Sequence, residues 1–581
     1  MLTKLTIRNF KRFDEAEVEL GNPVVLIGPN NSGKSTALQA LALWHIGLKR
    51  WNEKRKDMKA PEKRPGVTIN RRDLIAVPVP RAKLLWRDLH VRDAADAGGG
   101  KQTRNVRIDI LVEGTTESKE WRCGLEFDYA NEESIYCRPL RLSEGSSPDR
   151  MSVPEEASAL EVALLPPMSG LAANETRLDA GAINVRVGEG RTAEVLRNLC
   201  YRLVESGQAS EAWQGLQERI RQLFGVTLDL PTYVPERGEV TMSYREGSGT
   251  TLDLSSAGRG LHQVLLLLAY IRANPKSVLL LDEPDAHLEI LRQRQIYAVL
   301  TEETLAANCQ IVAASHSEVL LNEAAARDVV VAFVGRPHRI DDRGSQVRKA
   351  LKNIGFEQYY LAEQTGWVLY LEGATDLAIL QAFAQRLHHE TAVWLAQPFV
   401  HYVGNRLGAA RGHFRGLREA MPDLVGYALL DHRATPADPE PPLVERTWTR
   451  REIENYLCQP ETLLAYADHH AKQTAGGPLL VPASAERHRQ LMDECIADFV
   501  PPAALRDPRD RWWVEAKASD DYLDRVFERF FEKLSLPNLM QKNNYHVLAR
   551  FVPEELIAPE VRDVLDQMVS VLGQARPPAD A

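Results

Sequence analysis

The chain has 581 residues, 44% hydrophobic and 26% charged, which is enough apolar content for several packed domains and excludes wholesale disorder. Lysine and arginine total 71 against 80 aspartates and glutamates, so the formal charge of −9 excludes a strongly basic DNA coat while leaving room for a local basic groove. The six cysteines form no Cys-x-x-Cys pair, the N-terminus MLTKLTIRNFKRF is charged and alternating, and no apolar run approaches the ~20 residues that cross a bilayer. These features predict a reduced, cytoplasmic, multidomain protein without a zinc ribbon, a secretory signal or a membrane segment.

In chain order, residues 2–27 read as two strands, the second ending in glycine, and a helix follows from Ser35 to about Leu48. The stretch Lys49–Arg72 is basic with little apolar periodicity, which fits a solvated loop or a phosphate-contacting arm. Strand patterns run from Lys83 to Phe127, and a Ser, Pro and acid-rich loop covers Ser146–Ala157. Residues 190–223 repeat apolar positions at helical spacing. The strands SVLLLDEP and QIVAAS then bracket a helix over about 286–307. A second α/β pattern opens near Gly366 with the strand WVLYLEG, a helix over Asp376–His388 and the strand LVGYALLD. After the loop PADPEPP, residues 452–581 read as mostly helical with a frayed tail.

The segment Gly28-Pro-Asn30-Asn31-Ser32-Gly33-Lys34-Ser35-Thr36 fits G-x-x-x-x-G-K-[ST] between a strand and a helix. Glycines there let backbone N–H groups close round phosphates, and a helix N-terminus favours negative charge. Lys34 is expected to reach the β- and γ-phosphates of ATP, and the Ser35 hydroxyl to ligate Mg²⁺. Downstream, Asp282 ends a strand and suits the outer Mg²⁺ shell, while Glu283 is placed to polarise the attacking water. Between them, Leu254-Ser255-Ser256-Ala257-Gly258 opens a helix with small donors, and His316 follows a strand where it can touch a γ-phosphate.

This order of motifs resembles an ABC-type ATPase head of the recombination and chromosome-maintenance branch. The resemblance implies a dimer in which Ser255, Ser256 and Gly258 of one subunit cover ATP bound to the other. The signature departs from the usual Leu-Ser-Gly-Gly-Gln/Glu. The long separation of Lys34 from Asp282 implies a helical insertion at about 190–225 that can serve dimerisation. Gln102 is the candidate for the glutamine that completes the Mg²⁺ shell.

A second constellation lies downstream. Glu372 ends one strand, Asp376 sits four residues on at a helix start, and Asp431 ends the next buried strand. Glu452 and Glu454 follow in RREIENYL, and Lys542 stands in QKNNYHVLARF. Carboxylates gathered at strand ends suit Mg²⁺-assisted phosphodiester cleavage, with a lysine to steady the transition state. His432 reads as a hydrogen-bonded side chain or a metal ligand. His388-His389 and His469-His470 read as helix-surface residues without zinc spacing.

Strand–Glu-x-x-x-Asp followed by strand–Asp resembles a TOPRIM domain. An ABC-type head followed by TOPRIM is similar to the OLD (overcoming lysogenisation defect) nuclease family, to which the nuclease subunit of the Gabija anti-phage system belongs. The resemblance implies an α/β fold with the head over 1–345 and a TOPRIM-like domain with a helical C-terminal region over 366–581. It further implies an ATP-regulated, Mg²⁺- or Mn²⁺-dependent DNA endonuclease in phage defence, with a protein partner from the same operon. By position Glu372 is the leading glutamate, Asp376 its partner, Asp431 the first acid of Asp-x-Asp, Glu454 the later acidic ligand and Lys542 the late lysine. Arg433 stands where the second acid of Asp-x-Asp belongs. Three readings stay open: Asp438, Glu440 or Glu452 substitutes; one metal suffices with Arg433 on phosphate; or the domain is a degenerate scaffold that recruits an effector.

Overall fold

The computed structural model describes all residues except 56–65, 98–99, 117–118, 144–148, 206–208, 248, 326–327, 341–355, 433–441, 475–479 and 577–581. Arg433, Asp438, Glu440 and most of the expected PADPEPP loop and C-terminal tail lie outside the described residues. The chain divides into two compact units, Met1–Gly344 and Ser345–Ala579.

The first unit holds two sheets. The parallel one runs in the order Val162–Leu165, Val278–Asp282, Gln310–Ser315, Val24–Ile27, Val329–Ala332, with the short strand His338–Arg339 antiparallel at its edge. Its strands are almost wholly apolar because both faces are covered. Val278 and Leu280 pack with the helix Lys34–Arg55 on one face, while Leu279 and Leu281 pack with the helix Arg259–Ala273 on the other, as a two-residue period requires. The second sheet is antiparallel and has six strands, including Leu2–Phe10, Phe13–Glu19, Ile108–Thr116 and Lys119–Asn131. Leu5, Ile7, Val112 and Phe127 of that sheet share a core with Leu38, Leu41 and Trp44 of the helix. The helix thus lies between the two sheets, and Trp44 fixes its rotation by donating from Nε1 to the Cys123 carbonyl at 2.9 Å.

Several expectations are corrected here. Residues 2–27 form three strands, because Asn9 and Lys11 adopt left-handed backbone (φ 54° and 50°) and reverse the chain before Phe13. The basic stretch is not a loop at either end: the helix continues to Arg55, and Val67–Asn70 is a strand beside Ser134–Pro139. The helical segment at 190–225 comprises Leu196–Glu205 and Ala209–Phe224. This segment is helical as expected, and its apolar residues, among them Leu199, Leu203, Leu216 and Ile220, pack in one core with the helix Arg259–Ala273.

The second unit is built on a four-stranded parallel sheet in the order Val400–Tyr402, Trp367–Leu371, Val425–Leu430, Leu443–Thr447. The helices Ala374–Arg386 and Leu407–Ala420 follow the first and second strands in sequence. The remaining helices include Pro460–Thr474, Val481–Phe499, Asp524–Leu534 and Pro559–Leu572. One core joins sheet and helices, with Leu369 and Leu371 in the same cluster as Phe527, Tyr545 and Leu565. His470 does not lie on a helix surface as expected: it is buried beside His488 and Phe531, whereas His388 is exposed and His389 bonds Asp566 at 3.0 Å. All six cysteines are buried and free. Among the described residues no helix is long and apolar enough to cross a membrane.

Candidate functional sites

The parallel register of the first unit brings three strand ends to one edge. Ile27 pairs with Ser315, and Ala314 with Asp282, so Gly28, Glu283 and His316 all leave the sheet together. Glycine is obligatory at position 33, where φ is +107° and a Cβ would come within 2.4 Å of the Phe13 ring. Asn31 also takes left-handed backbone, φ 64°.

Lys34 is only 7% exposed and folds back to donate to the carbonyls of Gly28 (2.7 Å) and Pro29 (2.9 Å). An ammonium enclosed by such a loop fits a polyphosphate. Burial pulls the Lys34 ammonium below its ordinary range, against the opposing pull of Asp282 and Glu283. Ser35 Oγ donates to Asp282 Oδ1 at 3.1 Å, closing the gap that a divalent cation would bridge. Burial raises the Asp282 carboxyl, and the neighbouring Glu283 adds to the rise. Glu283 is held at φ 49° with its N–H on the Ala314 carbonyl, a strained turn that aims its carboxylate away from the strand. Its Oε1 lies 3.4 Å from His316 Nδ1. Ser315 bonds the buried Asp285 at 2.8 Å and so anchors the turn from behind.

Ser255, Ser256 and Gly258 are exposed, and among the described residues no recorded hydrogen bond joins them to the Gly28–Thr36 loop. Asp253 shapes their turn by accepting from the Ser255 N–H and Oγ, and Arg197 holds Asp253 at 3.1 Å. Gln102 lies in the strand Gly100–Asn105. Sequence reasoning missed the Phe10–Phe13 turn, where Phe13 and Arg12 cover Gly33 and Lys11 bonds Gln39 of the loop helix at 2.6 Å.

In the second unit, Glu372 and Asp431 directly follow the neighbouring parallel strands Trp367–Leu371 and Val425–Leu430. Asp376 lies in the first turn of the next helix and accepts from the Gly373 N–H at 2.8 Å. Burial, then the charges of Glu372 and Asp376, push the Asp431 carboxyl up to about 9. Burial with the charge of Glu452 lifts Glu454 to about 8, and burial with Glu372 lifts Asp376 to about 6. Glu372 Oε2 is buried without a partner. Glu372, Asp376, Asp431 and Glu454 therefore form one field of crowded carboxyls.

The field is open rather than closed. Among the described residues no three His, Cys, Asp or Glu side chains stand close enough to hold a metal ion. The two findings agree physically, since charges act over several ångströms whereas metal–oxygen bonds span about 2.0–2.6 Å. The donor set is hard oxygen with one orphaned carboxylate oxygen, which fits Mg²⁺ or Mn²⁺ once the side chains draw in. Glu452 is committed elsewhere: 5% exposed, it accepts the Ser519 N–H. His432 bonds the Trp448 carbonyl at 3.2 Å. Lys542 bonds Ser519 Oγ (3.1 Å) and Asp520 (3.3 Å), and its charge reaches Asp376 and Glu454.

Comparison with known proteins bears on the first unit. Residues 1–63 match the family described as "AAA ATPase domain", and residues 204–322 match "AAA domain, putative AbiEii toxin, Type IV TA system". The first stretch contains the Gly28–Thr36 loop, and the second the signature, Asp282-Glu283 and His316. Both stretches are thus similar to ATPase domains of the AAA type. No curated protein matches the chain. Solved structures that match include an Smc head bound to the C-winged helix domain of ScpA (15% identity, TM-score 0.34, covering 58% of this chain and 97% of that one). The SMC head domain from Thermotoga maritima matches at 15% identity and TM-score 0.31, covering 58% and 98%. The Smc head domain with an extended coiled coil bound to the C-terminal domain of ScpA, derived from Pyrococcus furiosus, matches at 11% and 0.33, covering 58% and 96%.

Proposed function

We propose that this ATPase is an ATP-regulated, metal-dependent DNA endonuclease similar to the OLD family, working as a dimer in bacterial phage defence with a partner from its operon. The observation that carries the reading is the set of acids at the C-terminal ends of the second unit's parallel strands, where Glu372 and Asp431 follow neighbouring strands and Lys542 stands at the rim. The match to a domain named for a toxin of a toxin–antitoxin system supports the defence role.

In the head, Lys34 exchanges the Gly28 and Pro29 carbonyls for phosphate oxygens, and Ser35 and Asp282 would hold Mg²⁺. Glu283 accepts the proton of the attacking water, and His316, 3.4 Å away, orients that carboxylate. In trans, Ser255, Ser256 and Gly258 offer donors to the γ-phosphate. In the second unit, Glu372, Asp376, Asp431 and Glu454 would hold the cation, whose chemistry there is to activate water and neutralise the leaving oxygen. Lys542 compensates charge on the phosphate under attack.

A second reading, an ATPase sensor whose TOPRIM-like unit recruits an effector without cutting, is favoured by the absence of a ready three-ligand cluster among the described residues and by Arg433 in the sequence. Plasmid nicking in Mg²⁺ or Mn²⁺ separates the two. Metal-dependent nicking that disappears in Glu372→Ala supports the nuclease; no cutting in either metal, with or without ATP, supports the sensor.

A further inference from the structure

Beside the acid field, residues 518–523 form a single π-helical turn, Ala518–Leu523, a rare geometry that recurs at functional sites. The turn is pinned at its start: the Ser519 N–H donates to the buried Glu452, and Asn455 Nδ2 donates to the carbonyls of Trp513 (3.1 Å) and Ala516 (2.9 Å). The pinned turn presents Asp520 between two ammonium groups. Lys542 Nζ lies 3.3 Å from Asp520 Oδ1 and 3.1 Å from Ser519 Oγ, and Lys517 Nζ binds Asp520 Oδ2. All three charged side chains remain open to solvent: Lys517 is 38%, Asp520 44% and Lys542 47% exposed.

Two lysines and a hydroxyl converge on one anion, Lys542 and Ser519 Oγ (3.2 Å) on Oδ1 and Lys517 on Oδ2, the arrangement a phosphodiester would engage with its two non-bridging oxygens. The carboxylate of Asp520 holds that position. Exposed ion pairs of this kind are weak and readily exchanged. On the nuclease reading above, on which this inference rests, we propose that Asp520 is an internal phosphate mimic: a nucleic-acid phosphodiester displaces it from Lys517 and Lys542 and so enters beside the acid field. Asp520 is a positioning residue that keeps both lysines aimed while the site is empty and competes with substrate. Lys517 becomes a second phosphate-binding residue, one that the late-lysine pattern does not include.

The test is fluorescence anisotropy of a labelled single-stranded oligonucleotide with the full chain, in Ca²⁺ to hold back cutting, across a salt series. Asp520→Asn is expected to bind about tenfold tighter than wild type, and Asp520→Glu, which restores the anion, to return to wild-type affinity. Lys517→Ala and Lys542→Ala are each expected to weaken binding several-fold and to lower the slope of log K against log salt by about 0.7, one phosphate contact on a single strand. Thermal melting confirms that each variant is folded. Wild-type binding left unchanged or weakened by Asp520→Asn overturns this inference alone. A wild-type chain that binds no oligonucleotide overturns the nuclease reading and this inference with it.

Discussion

Replacing Asp431 by asparagine tests the crowded acids directly, because it removes one carboxyl and keeps its shape. The Asp431 carboxyl rises from 3.8 to about 9, chiefly through burial and then through Glu372 and Asp376. Below the lower value, folded and unfolded chains both carry the proton. Between the two values the unfolded chain has shed a proton that the folded chain retains, so this group costs stability as pH rises, and the loss levels off above about 9. By pH 7 the interval spans about three pH units, which at about 1.4 kcal/mol per unit sets a ceiling of about 4 kcal/mol. Relaxation of the open cluster and counter-ion uptake reduce this, and about 2 kcal/mol is expected. Asp431→Asn should therefore be more stable than wild type in metal-free buffer, by roughly 4–8 °C in the melting of the second unit at neutral pH. The gap should close near pH 4 and widen toward pH 8.5. Added Mn²⁺ should raise the melting point of wild type more than that of the variant. Calorimetric scans across this range decide it: a gap independent of pH, or a variant less stable than wild type at pH 8.5, refutes the reasoning.

In the head, Lys34→Ala and Glu283→Gln should each lower ATP turnover by about 100-fold or more, read as phosphate release; normal turnover in both variants would disprove the site assignment. Gly33→Ala should weaken binding of a fluorescent ATP analogue at least about tenfold, since the new methyl meets Phe13 at 2.4 Å in left-handed backbone; unaltered affinity would contradict the loop geometry. Glu126, fully buried among Arg138, Arg141 and Arg150, should cost about 3–5 kcal/mol when replaced by alanine, because three guanidiniums lose their shared anion. Urea denaturation checks this, and a loss below about 1 kcal/mol would show the network to be dispensable.

Much of the nucleotide site was legible because its chemistry is local. Gly28–Thr36 is one contiguous loop, and Asp282-Glu283 and Ser315-His316 each close a short apolar run whose pattern marks a buried parallel strand. The Phe10–Phe13 turn was not legible, since its contact with Gly33 joins residues far apart in sequence and depends on left-handed backbone at Asn9 and Lys11. In the second unit the strand-end acids could be read from the pattern, but their differing commitments could not. Glu452 and Glu454 look equivalent in RREIENYL, yet one bonds the Ser519 N–H while the other faces the acid field. Their separation is decided by the 3₁₀ turn Ile453–Tyr456 and by a partner segment more than sixty residues away. His470 was misplaced for a related reason: helical periodicity reports which face is apolar, and the His470 ring meets aromatic rings from two other helices, His488 on one and Phe530 and Phe531 on the other.

The anchoring of Ser519 by Glu452 bears on how this polypeptide can be cut or fused. Glu452, two residues before Glu454, is braced by chain 67 residues further on, and the same apolar core runs on to Leu572. A shortened protein ending after Cys458 would keep every strand of that sheet, yet lose Ser519, Lys542 and most of the buried residues that share the sheet's core. The chain after Cys458 is a supporting wall of the site, and engineering or natural gene fission that spares the acids must carry this wall along.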